Sequence, residues 1–118
     1  MLRSISYGAQ DIANSLGYTP YAQPIVQIAT PTTGQTVAIQ STTSDITLWC
    51  KPAGTLATLT IAFPSSPRVG QIVRIGSTNI VTALTLNGGT IINTLTSFVA
   101  NQLTSYQCVE AGTWGRVS

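Results

Sequence analysis

The 118-residue chain has no histidine, and its charged side chains amount to three carboxylates and five basic residues, 7% of the sequence. Without imidazole, the side chain that most readily moves a proton near neutral pH is missing. The carboxylates are Asp11, Asp45 and Glu110, so a catalytic acid and base would have to be Asp45 with Glu110. Both lie beside turns, where a solvated surface charge is the ordinary outcome. Two cysteines without histidine cannot make a four-ligand zinc site, and three scattered carboxylates give no calcium loop. Gly70 and the pair Gly88-Gly89 read as turn residues, since no Lys-Ser/Thr follows the pair and neither opens a helix. The expectation is a protein with no catalytic residues, no metal and no cofactor, and not an enzyme.

Further absences exclude further partners. The net charge of +2 comes from Arg3, Lys51, Arg68, Arg74 and Arg116, which are scattered rather than clustered as a nucleic-acid footprint requires. No run approaches the ~18 apolar residues of a membrane-spanning helix, and MLRSISYGAQDIANS has no apolar core of signal-peptide length. The reading is therefore no nucleic acid, no membrane, and synthesis in a cytoplasm. Cys50 and Cys108 each sit in an apolar strand-like run; a reducing compartment favours two buried thiols over a disulfide, which neighbouring strands would still allow.

What is present is an apolar, weakly charged β sequence, 43% hydrophobic. Soluble monomers use interspersed charge to protect sheet edges, so a surface this neutral points to burial against copies of itself or a larger assembly. Residues 1–24 form an arm distinct from the β-domain of residues 25–118. Within it Ala9 to Leu16 reads as two helical turns stopped by Gly17, and Pro20 and Pro24 then impose an extended path. The arm holds three of the four tyrosines, and Tyr7, Ile12, Leu16, Tyr18, Pro20 and Tyr21 are the candidate residues for docking on another protein. Packing back onto their own domain is the competing reading.

From Ile25 the pattern is strand and turn. Short apolar runs are expected at Ile25–Ala29, Thr36–Gln40, Ile46–Cys50, Thr58–Phe63, Gly70–Ile75, Ile80–Leu86, Thr90–Ile92, Ser97–Ala100, Leu103–Val109 and Thr113–Val117. Asn87-Gly88-Gly89 supplies positive φ for a tight turn. Turn signals every 8 to 12 residues describe an all-β fold, a compact antiparallel β-sandwich or jelly-roll-like knob. Trp49, Phe63 and Trp114 are the candidate anchors of its core or of a subunit interface.

Two segments resemble phage virion proteins. Ser15-Leu16-Gly17-Tyr18-Thr19-Pro20 is similar to the LGYTP element of phage tail fibres. The pattern P-x-V-G-Q-x-V-x-I at Pro67 to Ile75, N-G-G-T-I at Asn87 to Ile91 and G-x-W at Gly112 to Trp114 looks like the small β-modules of phage fibres and capsid decorations. The resemblance implies a homotrimer at three-fold positions of a virion. It also implies the major capsid protein as partner and the capsid surface as location; the short chain favours a capsid decoration, or cement, protein. The alternative is a tail-fibre or tail-tip component that binds a host receptor or glycan.

Overall fold

A computed structural model describes residues 24–117. All regular structure among them is strand, in nine segments: β1 Ile25–Ala29, β2 Thr36–Ala38, β3 Ile46–Cys50, β4 Leu56–Ala62, β5 Ile72–Ser77, β6 Val81–Asn87, β7 Thr90–Ile92, β8 Gln102–Glu110 and β9 Thr113–Arg116. The short helix expected at residues 9–16 lies outside the described residues, as does the rest of the arm before Pro24.

The described residues are all-β, but their strands do not pair as the antiparallel sandwich or jelly roll anticipated from the turn spacing. Five of the seven ladders are parallel. A six-stranded sheet has the order β1-β3-β5-β8-β9-β7, and a three-stranded sheet the order β2-β4-β6. From β1 to β6 consecutive strands therefore alternate between sheets, and each from β3 onward lies beside the strand two places earlier. The result is a solenoid-like coil of three turns, β1-β2, β3-β4 and β5-β6. The glycine- and proline-rich segments are corners between sheets rather than hairpin reversals, which is why their spacing was compatible with both arrangements.

Parallel register stacks like on like. Ile46 lies over Val73, Leu48 over Ile75, and Ile61 over Leu86, all inside the coil and all buried. The repeat even extends to an irregularity: Leu56, Leu59 and Ile61 on β4, and Val81, Leu84 and Leu86 on β6, are buried with two exposed residues after the first of each set. These pairs, Ala57-Thr58 and Thr82-Ala83, make the same corner in two adjoining turns, with Thr58 in register with Ala83. Thr82 consequently faces outward, where strict alternation would place it beside Leu84 and Leu86.

One corner is held by a polar knot. The Gln71 side chain is buried; its amide donates to Thr42 O at 2.9 Å and Ser44 O at 2.6 Å, and its oxygen accepts from Arg68 N at 3.1 Å. Beside it, Asp45 Oδ1 accepts from Ile72 N at 2.9 Å and pairs with Arg68 Nη2 at 3.3 Å. The loop before β3 is thereby fastened to the loop before β5. Both Asp45 and Arg68 are partly exposed, so the geometry of the bonds matters more than the charge attraction.

The antiparallel β8–β9 pair ends the coil. Tyr106 and Trp114 turn inward from it and meet the edge of Phe63, with ring centroids at 5.4 Å and 5.0 Å. The Tyr106 hydroxyl donates to Asn93 O at 3.1 Å and accepts from Leu95 N at 3.0 Å, which holds the 93–98 segment across β6. That segment was expected as a strand from Ser97 to Ala100; it contributes only an isolated bridge between Phe98 and Val81. The turn into β7 depends on Gly88, whose φ is +95° and whose missing Cβ would stand 2.8 Å from both N and O of Phe63. Gly88→Ala should cost at least about 2 kcal/mol, read as a lower urea midpoint with an unchanged slope.

Candidate functional site

Strand alternation decides which side chains leave the coil. On the outer face of the large sheet, register places Ile28, Trp49, Gly76 and Leu103 in one row across β1, β3, β5 and β8. Ile28 is 62% exposed and Leu103 47%, while Trp49 is half-buried. The indole can lie flat because position 76 has no side chain. A Cβ there would meet Gln102 O and approach Trp49 Cζ3 at 2.9 Å and Leu103 Cδ2 at 2.7 Å. The neighbouring row is Val26, Thr47, Arg74 and Ser105, in which Val26 is 67% exposed and Arg74 is the one charge. The surface is four strands wide, with one apolar row beside a mostly polar one.

Of the three anchors named from the sequence, Phe63 and Trp114 lie together in the core and Trp49 lies on this outer face. The docking candidates Tyr7, Ile12, Leu16, Tyr18, Pro20 and Tyr21 are all outside the described residues. Sequence reasoning assigned no role to Tyr106, although it is fully buried. Its position two residues before Cys108 on an alternating strand was the available signal.

A second surface lies at a corner. The loops that follow β1 and β3 stack on each other, and Thr30, Thr32, Thr33, Lys51 and Thr55 line an open groove between them. Its lining is mixed: the hydroxyls and one ammonium group stand beside Pro31, Ala53, Gly54 and Leu56, and the apolar part is the larger.

The Asp45 carboxylate and the two thiols are engaged or buried, whereas Lys51 and Glu110 are exposed. Asp45 is committed to the polar knot, and among the described residues no group of three or more His, Cys, Asp or Glu could hold a metal ion. Cys50 is in register with Ser77 at one end of β5, and Cys108 N donates to Gln71 O at the other. The length of β5, ~20 Å at 3.3 Å per residue, separates the thiols, well beyond disulfide reach. Both are free and buried. Comparison with known proteins supplies no relative: no protein-family model, curated protein or solved structure matches the chain.

Burial pushes the Cys50 thiol up to about 11 and raises Cys108 as well. A raised folded-state value favours the neutral thiol, so stability is retained below pH 9 and lost as the unfolded chain ionises and the folded one does not. Denaturation free energy should hold level to about pH 8.5 and decline from about pH 9 to 11. Cys50→Ala should flatten part of that decline, with Cys108 and Tyr106, shifted the same way, accounting for the remainder.

Proposed function

We propose that this protein is a non-enzymatic structural component of a phage virion, a capsid decoration protein that binds the head as a trimer. The observation that carries the self-association is the apolar row Ile28–Trp49–Leu103, set on a sheet face with Arg74 as its one charge. The row itself loses little on leaving water and carries no charge to repel its own copies. The segments that resemble phage modules support the assignment through their placement: Pro67 to Ile75 builds the knotted corner and β5, Asn87-Gly88-Gly89 makes the turn into β7, and Trp114 anchors the closing pair.

In this reading the β-domain is the knob, and the tyrosines of the arm, Tyr7, Tyr18 and Tyr21, dock on the major capsid protein. A ligand that binds only the assembled shell stabilises it by linkage, and three tethered arms multiply individually weak contacts. Each buried ring contributes on the order of 1.5 to 3 kcal/mol. In the full-length chain, Tyr7→Ala, Tyr18→Ala and Tyr21→Ala combined should lower co-sedimentation with phage heads at least about a hundredfold while thermal unfolding is unchanged. Trp49→Glu should convert a trimer to a monomer in sedimentation velocity. Undiminished head binding by the triple tyrosine variant would overturn the docking role, and a wild-type monomer would overturn the trimer.

The threonine-lined groove favours a second reading, a tail-tip or fibre component in which that groove meets a host glycan. Hundreds of copies on the head of an immunolabelled virion correspond to the first reading, and a few at the tail correspond to the second.

A further inference from the structure

The turn Asn87-Gly88-Gly89, which carries the chain from β6 into β7, also holds the reactants of a covalent step. The side-chain amide of an asparagine can be attacked by the backbone nitrogen of the next residue, which closes a five-membered imide. A Cβ on that next residue crowds the approach, and glycine has none. The chain has five asparagines, and those other than Asn87 are followed by Ser15, Ile80, Thr94 and Gln102. Asn87 alone precedes a glycine.

The fold leaves both reacting groups accessible. Asn87, Gly88 and Gly89 are all exposed. The carbonyl of Asn87 accepts from Phe63 N at 2.8 Å, on the side of β4. Across a trans peptide the N–H points opposite to the carbonyl, so that of Gly88 is directed away from β4. On that side, among the described residues, the 93–98 segment bonds to β6 only as far as Leu84, whose N donates to Thr96 O at 2.9 Å. No backbone group among the described residues accepts from Gly88 N. The attacking nitrogen therefore meets water, which can take its proton. Asn79 differs on both counts: its side-chain amide is tied to Pro52 O at 2.9 Å, and Ile80 follows it.

Bringing the amide carbon to Gly88 N needs a rotation of the Asn87 backbone. The bond this opens is the last one of β6, from Phe63 N to Asn87 O. The next backbone anchor along the chain is Thr90 N, which donates to Gly112 O at 2.8 Å. Gly88 and Gly89 between them have no side chains to hold them, so the opening is local and confined to a strand end.

We propose that Asn87 deamidates spontaneously in the folded protein through attack by Gly88 N, and that its isoaspartyl product loosens β7 from β9. In the first step Gly88 N gives its proton to water and bonds to Asn87 Cγ; the Cγ–Nδ2 bond breaks, and the nitrogen takes up a proton and leaves as ammonia. Water then opens the imide, with no change of oxidation state. Addition at Cγ restores a normal backbone with aspartate at position 87. Addition at the α-carbonyl carbon routes the main chain through Cβ and Cγ, one methylene longer. The turn has no room for that atom: a Cβ on Gly88 would stand 2.8 Å from both N and O of Phe63, and one on Gly89 2.5 Å from Gly112 O. Among the described residues β7 pairs with β9 alone, through three residues, so a shift at its start draws Ile91 away from Trp114.

The test incubates the full chain in water enriched in heavy oxygen, at a mildly alkaline pH below the range in which thiol ionisation weakens the fold. Peptide mapping should find the heavy label at residue 87, in aspartyl and isoaspartyl forms, at least about tenfold sooner than at Asn79, Asn93 or Asn101. Asn87→Gln, whose amide has to close a larger ring, should stay unmodified. The isoaspartyl fraction should unfold several degrees below fresh protein and exchange its Thr90 amide faster. Asn87→Asp, with the same charge on a normal backbone, should keep the original midpoint. If Asn87 stays intact in the folded chain while a urea-denatured control deamidates, the fold withholds the site and the proposal is overturned. Label appearing first at another asparagine, or an isoaspartyl form with an unchanged midpoint, would overturn it as well. So would an Asn87→Asp variant as destabilised as the isoaspartyl form, because charge and not backbone length would then be the cause.

Discussion

The fold depends on the parallel register between β3 and β5 and between β4 and β6. Once Leu48 is level with Ile75, and Ile61 with Leu86, each turn of the coil presents to the next a ladder of backbone bonds and a matching inner surface. A slip of one residue would turn these side chains outward and bring Thr47, Trp49 and Arg74 inside, which burial of a charge and of unpaired hydroxyls forbids. The Gln71 knot enforces the same register from outside the strands. Its two bonds to Thr42 O and Ser44 O fit only when the loop before β3 lies directly under the loop before β5.

Much of the strand content is legible in the sequence because alternation is a local property. Ile25–Ala29, Ile46–Cys50 and Thr90–Ile92 have the boundaries that their apolar runs indicate. Pairing is not local, and here the turn grammar misleads. Equivalent positions of the large sheet, Ile25, Ile46 and Val73, lie 21 and then 27 residues apart, and those of the small sheet, Thr36, Thr60 and Thr85, lie 24 and then 25 apart. A coil whose corners differ in length leaves no fixed period in the sequence, so it reads as a series of hairpins.

The candidate surface was less legible for a related reason. Trp49 stands between Leu48 and Cys50 in an unbroken apolar run, and such a run does not reveal which of its members faces water. The deciding residue is Gly76, 27 positions later, whose vacant side chain makes room for the indole. Only the three-dimensional register connects the two. The arm's tyrosines, by contrast, could be picked out by composition alone, since no neighbouring strand pattern competes for them.

The closing strand has a consequence for the order in which the molecule is made. β9 lies between β8 and β7, hydrogen-bonded to strands that both precede it in the chain. The three turns of the coil can therefore stack in sequence as they leave a ribosome, each new strand finding its neighbour already in place. Trp114, the largest fully buried side chain among the described residues, cannot join Phe63 until β9 has been synthesised. Until then Ile91 and its strand have no partner and the end of the core stands open. β9 thus closes on strands that were made before it, and a nascent chain halted before residue 113 would leave β7 unpaired and Phe63 uncovered by Trp114.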